Sequence, residues 1–146
     1  MHMSTSYQII SFGEVLWDLL PDGAYLGGAP LNVVLNTHKL GVKSSIISAI
    51  GADKWGQKVL DEFKTRSFET PFIQQNSFNT GTVSVRLNQS GSPSYTIHEP
   101  AAWDHLKSDE NTLNALKGVQ YLVMGTLACR NAESRSTLYH YLARFK

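Results

Sequence analysis

The chain has 146 residues, 42% hydrophobic and 17% charged, a composition that fits one globular domain with a sizeable core and excludes a disordered or fibrous chain. Thirteen lysines and arginines against twelve acids leave a formal charge of +1, which gives no electrostatic footprint for nucleic acid or an anionic membrane surface. Cys129 is the only cysteine, so an internal disulfide and a cysteine-based zinc site are both excluded.

Taken in chain order, Gln8–Leu16 is rich in β-formers and ends before a turn at Pro21-Asp22-Gly23, which predicts one strand. Ala24–Leu26 is a short segment before a Gly-Gly pair. Pro30 then stands in the first turn of a predicted helix, where its missing N–H has no cost. Leu31, Val34, Leu35 and His38 follow at helical spacing, and Gly41 is placed to cap the end. Ser44–Ile50 is β-branched and lacks strict alternation, the pattern of a strand buried on both faces. Asp53 sits at the N-cap position of a helix near Lys54–Arg66.

The middle of the chain changes character. Val83, Val85 and Leu87 alternate with Thr82, Ser84 and Arg86, and Ser94–His98 continues the alternation through Tyr95 and Ile97. The turn-forming stretch Asn88–Pro93 joins the two runs, predicting a half-buried hairpin. A short helix at Asn111–Leu116, an apolar strand at Val119–Gly125 and a helix at Ala132–Phe145 complete the pattern. Alternating strands and helices predict an α/β parallel sheet from which the hairpin is an antiparallel excursion. Because the chain ends on a strand–helix unit, the sheet resembles a doubly wound one stopped midway, with an apolar edge or face expected to promote association. The longest apolar run is the four residues Tyr121–Met124, and Met1–Tyr7 lacks a signal-peptide core. The expectation is a cytoplasmic protein with no transmembrane helix.

The segment Gly27-Gly28-Ala29-Pro30-Leu31-Asn32 concentrates the chemistry. Two glycines let a ligand approach the backbone, and the following helix directs free N–H groups and its positive dipole end at the same place. Asn32 offers a donor and an acceptor to a polyol. A plain tight turn before a capped helix is the alternative reading of these residues. Gly41 and Gly51 follow with nine residues between them. With this spacing the chain resembles the PfkB (ribokinase-like) carbohydrate kinases, whose signature is matched at Gly27, Gly28, Pro30, Asn32, Gly41 and Gly51 and departs at Val34. Gly13–Asp18, Ile50–Gly56, Thr80-Gly81-Thr82 and Gly125–Ala128 also resemble segments of the fructokinase branch.

The resemblance implies a ribokinase-like doubly wound sheet with a β-hairpin lid, residues 1–146 being the N-terminal sugar-binding part and about 24–27 and 82–98 the lid. It implies that Asp18, at the C-terminal end of the first strand, accepts hydrogen bonds from sugar hydroxyls, with Gly27, Gly28 and Asn32 binding others. It also implies a homodimer formed through the lid. Trp103-Asp104 directly follows the hairpin, so Trp103 is either a core aromatic or a wall of the sugar pocket. Asp53 reads as a helix cap, and Arg130 as a solvated surface arginine with an acid or phosphate as the alternative partner. The five histidines lack metal-ligand spacing, and Asn88-Gln89-Ser90 matches a glycosylation acceptor.

The family's second half carries an Asp-Thr-x-Gly-Ala-Gly-Asp motif that supplies the base and an anion hole. Neither that string, nor a Walker loop, nor a Gly-x-Gly-x-x-Gly occurs in the chain. ATP and Mg are therefore expected for the full-length enzyme, with their site outside this chain. The chain alone is expected not to phosphorylate sugar, and the rival reading is a non-catalytic sugar-binding or dimerisation module.

Overall fold

The computed structural model describes residues 6–87 and 89–145. Asn88, and with it the match to a glycosylation acceptor pattern, which is idle in a cytoplasmic protein, lies outside the described residues. Two four-stranded sheets organise the chain. The first is wholly parallel, with the strands β1 (Ile9–Phe12), β4 (Ser44–Gly51), β5 (Ile73–Asn76) and β8 (Tyr121–Met124) in the order β5-β4-β1-β8. The second comprises β2 (Leu16–Leu20), β3 (Gly23–Gly27), β6 (Gly81–Leu87) and β7 (Pro93–Ile97) in the order β3-β2-β6-β7.

The parallel sheet is covered on both faces at β4, as in a doubly wound sheet, whereas Tyr121 and Met124 of the edge strand β8 are exposed. Every residue of β4 is buried, and its side chains separate with a period of two. Ile46 and Ile50 pack with Val34, Leu35, Val59 and Phe63 of α1 (Ala29–Lys39) and α2 (Lys54–Thr65). Ile47 and Ala49 point the other way, into a core with Trp103, Leu106, Leu113, Leu116 and Tyr141. That second core is closed by a 3₁₀ turn at Ala102–His105 and by α3 (Glu110–Leu116) and α4 (Ala132–Leu142). Among the described residues, no helix is long and apolar enough to cross a membrane.

The predicted strand Gln8–Leu16 is two strands in two different sheets. The break falls at Gly13, whose φ of +148° is disfavoured for other residues. A Cβ there would stand 2.7 Å from Pro30 Cγ, so the chain leaves the parallel sheet beneath the first turn of α1. A two-residue turn at Pro21-Asp22 then returns it antiparallel, with Asp18 opposite Tyr25.

The hairpin is also less covered than its alternation predicts. Val83 is 5% exposed, but Leu87 is 63% exposed, and every residue of β7 is exposed. β7 pairs only with β6, so burial fades as the ribbon leaves the body. Sequence reasoning also missed β5, where two glutamines hide the apolar signal. Gln74 is accommodated at the sheet edge because its amide accepts from Lys107 N (3.0 Å) and donates to Lys107 O (2.6 Å).

Candidate functional site

The chain passes between the sheets around one end of the parallel strands, and the candidate site is assembled at these passages. Asp18 stands in the middle of β2, not at the end of the first strand of the main sheet as expected. Its carboxyl lies against Gly27 on the neighbouring strand, where a Cβ would come within 2.5 Å of Asp18 Oδ2. The absence of a side chain at position 27 makes room for the acid. Half-burial pushes the Asp18 pKa up, and no donor among the described residues opposes that shift. This carboxylate is partly desolvated and unpartnered, and it suits a hydroxyl-bearing ligand.

Gly28 is the residue from which α1 starts, with φ +117°, and a Cβ there would collide with the carbonyl oxygen of Glu14. A glycine cannot cap a helix with its own side chain. Glu14 takes over from 15 residues away: its Oε1 accepts from Ala29 N at 3.2 Å. Glu14 is 4% exposed, and its Oε2 is buried with no hydrogen-bond partner among the described residues, beside Gly125. Burial raises its pKa, partly opposed by backbone N–H groups, including that of Ala29, and by the charge of Arg130. Asn32 occupies the same first turn, exposed, with its side-chain amide unengaged by other described residues. Gly27, Gly28, Asp18 and Asn32 thus stand around the β3–α1 junction, with Glu14 beneath it.

Trp103 takes a different place from the pocket wall. It is 0% exposed, in the core, and its Nε1 is buried beneath Gly81 without a partner among the described residues. Any Cβ at position 81 would run into the indole, so the start of β6 lies directly on it. Trp103 reaches the cleft only through Arg130, whose guanidinium stacks over its ring at 4.2 Å.

Arg130 is not a solvated surface residue. It donates to Asp104 through Nε (2.8 Å) and Nη2 (2.7 Å), a bidentate pair, and its Nη1 meets Glu99 Oε1 at 2.9 Å. The hydrogen bonds to Asp104 and both partners' negative charge hold the arginine firmly ionised. With Pro100 and Asn131 these residues line a cavity of about 490 Å³. A second cavity, of about 320 Å³, shares Glu99 and Pro100 and continues along Asn79, Thr80, Thr82 and His98 at the root of the hairpin.

Asp53 caps α2 as expected, accepting from Gly56 N at 2.8 Å, and also anchors the second sheet. Its Oδ2 accepts from Thr80 N and its Oδ1 from Thr80 Oγ1, both at 2.8 Å, immediately before β6. Burial alone would raise its pKa, but these hydrogen bonds outweigh burial and lower it.

Sequence reasoning missed Glu14 and the Asp104–Arg130 pair. A lone acid inside an apolar β-run marked Glu14. No local pattern could link Asp104 to an arginine 26 positions away.

The fold agrees with comparisons to known proteins. An uncharacterized sugar kinase of Pyrococcus horikoshii superposes with a TM-score of 0.80 at 29% identity, over 94% of this chain and 51% of that one. A fructokinase of Escherichia coli is 34% identical over 98 residues, 63% of this chain and 32% of its own length. An ATP-dependent 6-phosphofructokinase of Thermoanaerobacterium thermosaccharolyticum is 28% identical over 115 residues, 71% of this chain and 35% of its own. The chain spans about half the length, or less, of the curated relatives it matches. Residues 22–144 match the description pfkB family carbohydrate kinase, and with the two-sheet architecture and the Gly27-Gly28 helix entry in place, the chain belongs to that family.

Proposed function

We propose that this chain supplies the sugar-binding half and the lid of an ATP-dependent sugar kinase with fructokinase-like selectivity. The observation that carries the reading is the unpartnered Asp18 carboxyl held against Gly27, beside a helix entry that Glu14 fixes from below. A carboxylate with no donor among the described residues, next to glycine backbone, matches the hydroxyls of a polyol. The roles are divided: Asp18 accepts from sugar hydroxyls, Gly27 and Gly28 admit the ring to the backbone, and Asn32 binds a further hydroxyl. In this reading the second sheet serves as a lid, which in phosphoryl transfer keeps water from taking the transferred group.

Bound nucleotide and Mg would supply the phosphoryl group and neutralise its charge. The described residues offer no cluster of three acidic, histidine or cysteine side chains able to hold a metal. The one arginine at the cavities is committed to Asp104 and Glu99. In this reading the nucleotide is held elsewhere in the enzyme, and the residues at the junction hold and orient the sugar. A cytoplasmic location suits that ATP dependence.

A second reading, association through the lid, rests on its exposed apolar side chains. Tyr25, Leu87 and Tyr95 are each at least half exposed on that sheet, which fits a homodimer formed lid to lid. The test of function is a fructose titration of the ¹⁵N-labelled chain with a coupled ATP-turnover assay alongside. Shifts at Gly27, Gly28 and Asn32 without turnover are expected. Fructose-dependent turnover by the pure chain would overturn the division of labour, and the absence of any shift would overturn sugar binding.

A further inference from the structure

Arg130 is the one lysine or arginine among the described residues lining the two cavities, and its hydrogen-bonding capacity is nearly exhausted. A guanidinium carries five N–H donors in a planar fork. Nε and Nη2 serve Asp104, Nη2 also points at the His98 carbonyl at 3.5 Å, and Nη1 serves Glu99. Trp103 covers one face of the group.

The two acids on Arg130 differ in how replaceable they are. Asp104 is 2% exposed and also accepts from Ala101 N at 3.0 Å, so it is built into the core. The Glu99 side chain is 67% exposed and makes no other bond among the described residues. Another anion could take its place without disturbing the fold. The only exchangeable edge of the cleft's arginine is thus occupied by a carboxylate that the protein itself provides.

We propose that Glu99 is a specificity-determining residue: its carboxylate occupies the edge of Arg130 where the carboxylate or phosphate of an acidic sugar would dock, and so restricts the cleft to uncharged sugars. This inference rests on the sugar-binding reading above. The relatives include both a fructokinase and a 6-phosphofructokinase, so similarity alone does not fix the charge of the sugar. The local charge balance disfavours an acidic one. Glu14 and Asp104 surround the arginine with further negative charge, and an incoming anion must both displace Glu99 and face it afterwards.

The test compares the wild-type chain with Glu99→Gln, which removes the charge and keeps the shape, using D-fructose, fructose 6-phosphate and D-gluconate as ligands in NMR titrations. The wild-type chain should favour fructose over both anions, and the anion-to-fructose affinity ratio should rise about fivefold in the variant, the scale of one exposed ion pair. An unchanged ratio, or a wild-type preference for the anions, would overturn the proposal. Inorganic phosphate is a second probe that needs no sugar site. It should perturb the Arg130 Nε–H signal of Glu99→Gln at several-fold lower concentration than that of the wild type, and equal responses would also overturn the proposal. Loss of fructose binding with the phosphate difference retained would sink the sugar-binding reading while leaving the masking of Arg130 standing.

Discussion

Glu14 Oε1 accepts the Ala29 N–H at 3.2 Å, so an acid at the bend between the two sheets caps the helix that follows the Gly27-Gly28 pair. The cap residue itself, Gly28, contributes no side chain. Replacing Glu14 by Ala removes the cap and opens a void in a site that is 4% exposed. The expected loss is about 1–2 kcal/mol, the usual worth of a helix cap, read from urea unfolding. An unfolding midpoint equal to that of the wild type would show the contact to be energetically idle.

Gly28→Ala should be more damaging than its size suggests. The added Cβ meets the Glu14 carbonyl, and φ of +117° is unfavourable for alanine. A loss of about 2 kcal/mol or more is expected, since strained backbone and a main-chain clash act together. Gly41→Ala is the comparison. It has a positive φ of +82° but nothing within 4 Å of its Cβ, so it carries the backbone cost without the clash and should lose less.

Asp53 predicts a pH dependence with a definite sign. Its folded pKa lies below the ordinary value of 3.8 because Thr80 and the first turn of α2 hydrogen-bond its charged form against the cost of burial. Its contribution to stability is therefore present above pH 3.8 and disappears as pH falls through the folded pKa. Asp53→Ala should destabilise the chain by about 1–2 kcal/mol at neutral pH. The gap to the wild type should close in acid, as the pH falls from 3.8 through the lowered folded pKa, as followed by circular dichroism melts. A gap independent of pH would assign the effect to packing alone.

The Asp104–Arg130 pair should behave asymmetrically. Arg130→Met leaves a 2% exposed carboxylate with its bidentate partner gone, and a cost of about 2–4 kcal/mol is expected. Adding Asp104→Asn should recover part of that loss, because the uncompensated charge is then removed. A double variant as unstable as the sum of the two single variants would mean that the residues act independently.

Association through the lid makes a prediction about a surface. Tyr95 is 63% exposed on β7. If the lid forms the dimer contact, light scattering should give the mass of two chains for the wild type and of one for Tyr95→Lys. Equal masses for both would place any association elsewhere, for instance at the edge of β8.

The sequence announced what depends on short-range pattern. The caps at Asp53 and Gly41, the Pro30 helix entry and the buried β4 follow from residues within a turn or two of each other. Its failures have one physical cause: a contact decided between distant segments. Nothing within Gln8–Leu16 reveals that Gly13 meets Pro30 and breaks the strand there. Nothing near Arg130 reveals Asp104 and Trp103, which turn an apparent surface arginine into a packed one. The polar strand β5 was hidden because its glutamine is satisfied by Lys107 backbone groups far along the chain.

The chain crosses between the sheets four times: from β1 to β2, β3 to α1, β5 to β6, and β7 to the turn at Ala102. The crossings carry Glu14, Gly28, Thr80 and Glu99 respectively. Two of these segments, at Thr80 and Glu99, also line the cavity of about 320 Å³ at the root of the hairpin, so the links between the sheets and the wall of that cavity share residues. A ligand seated there would touch two of the four links at once and so tie the position of one sheet to that of the other.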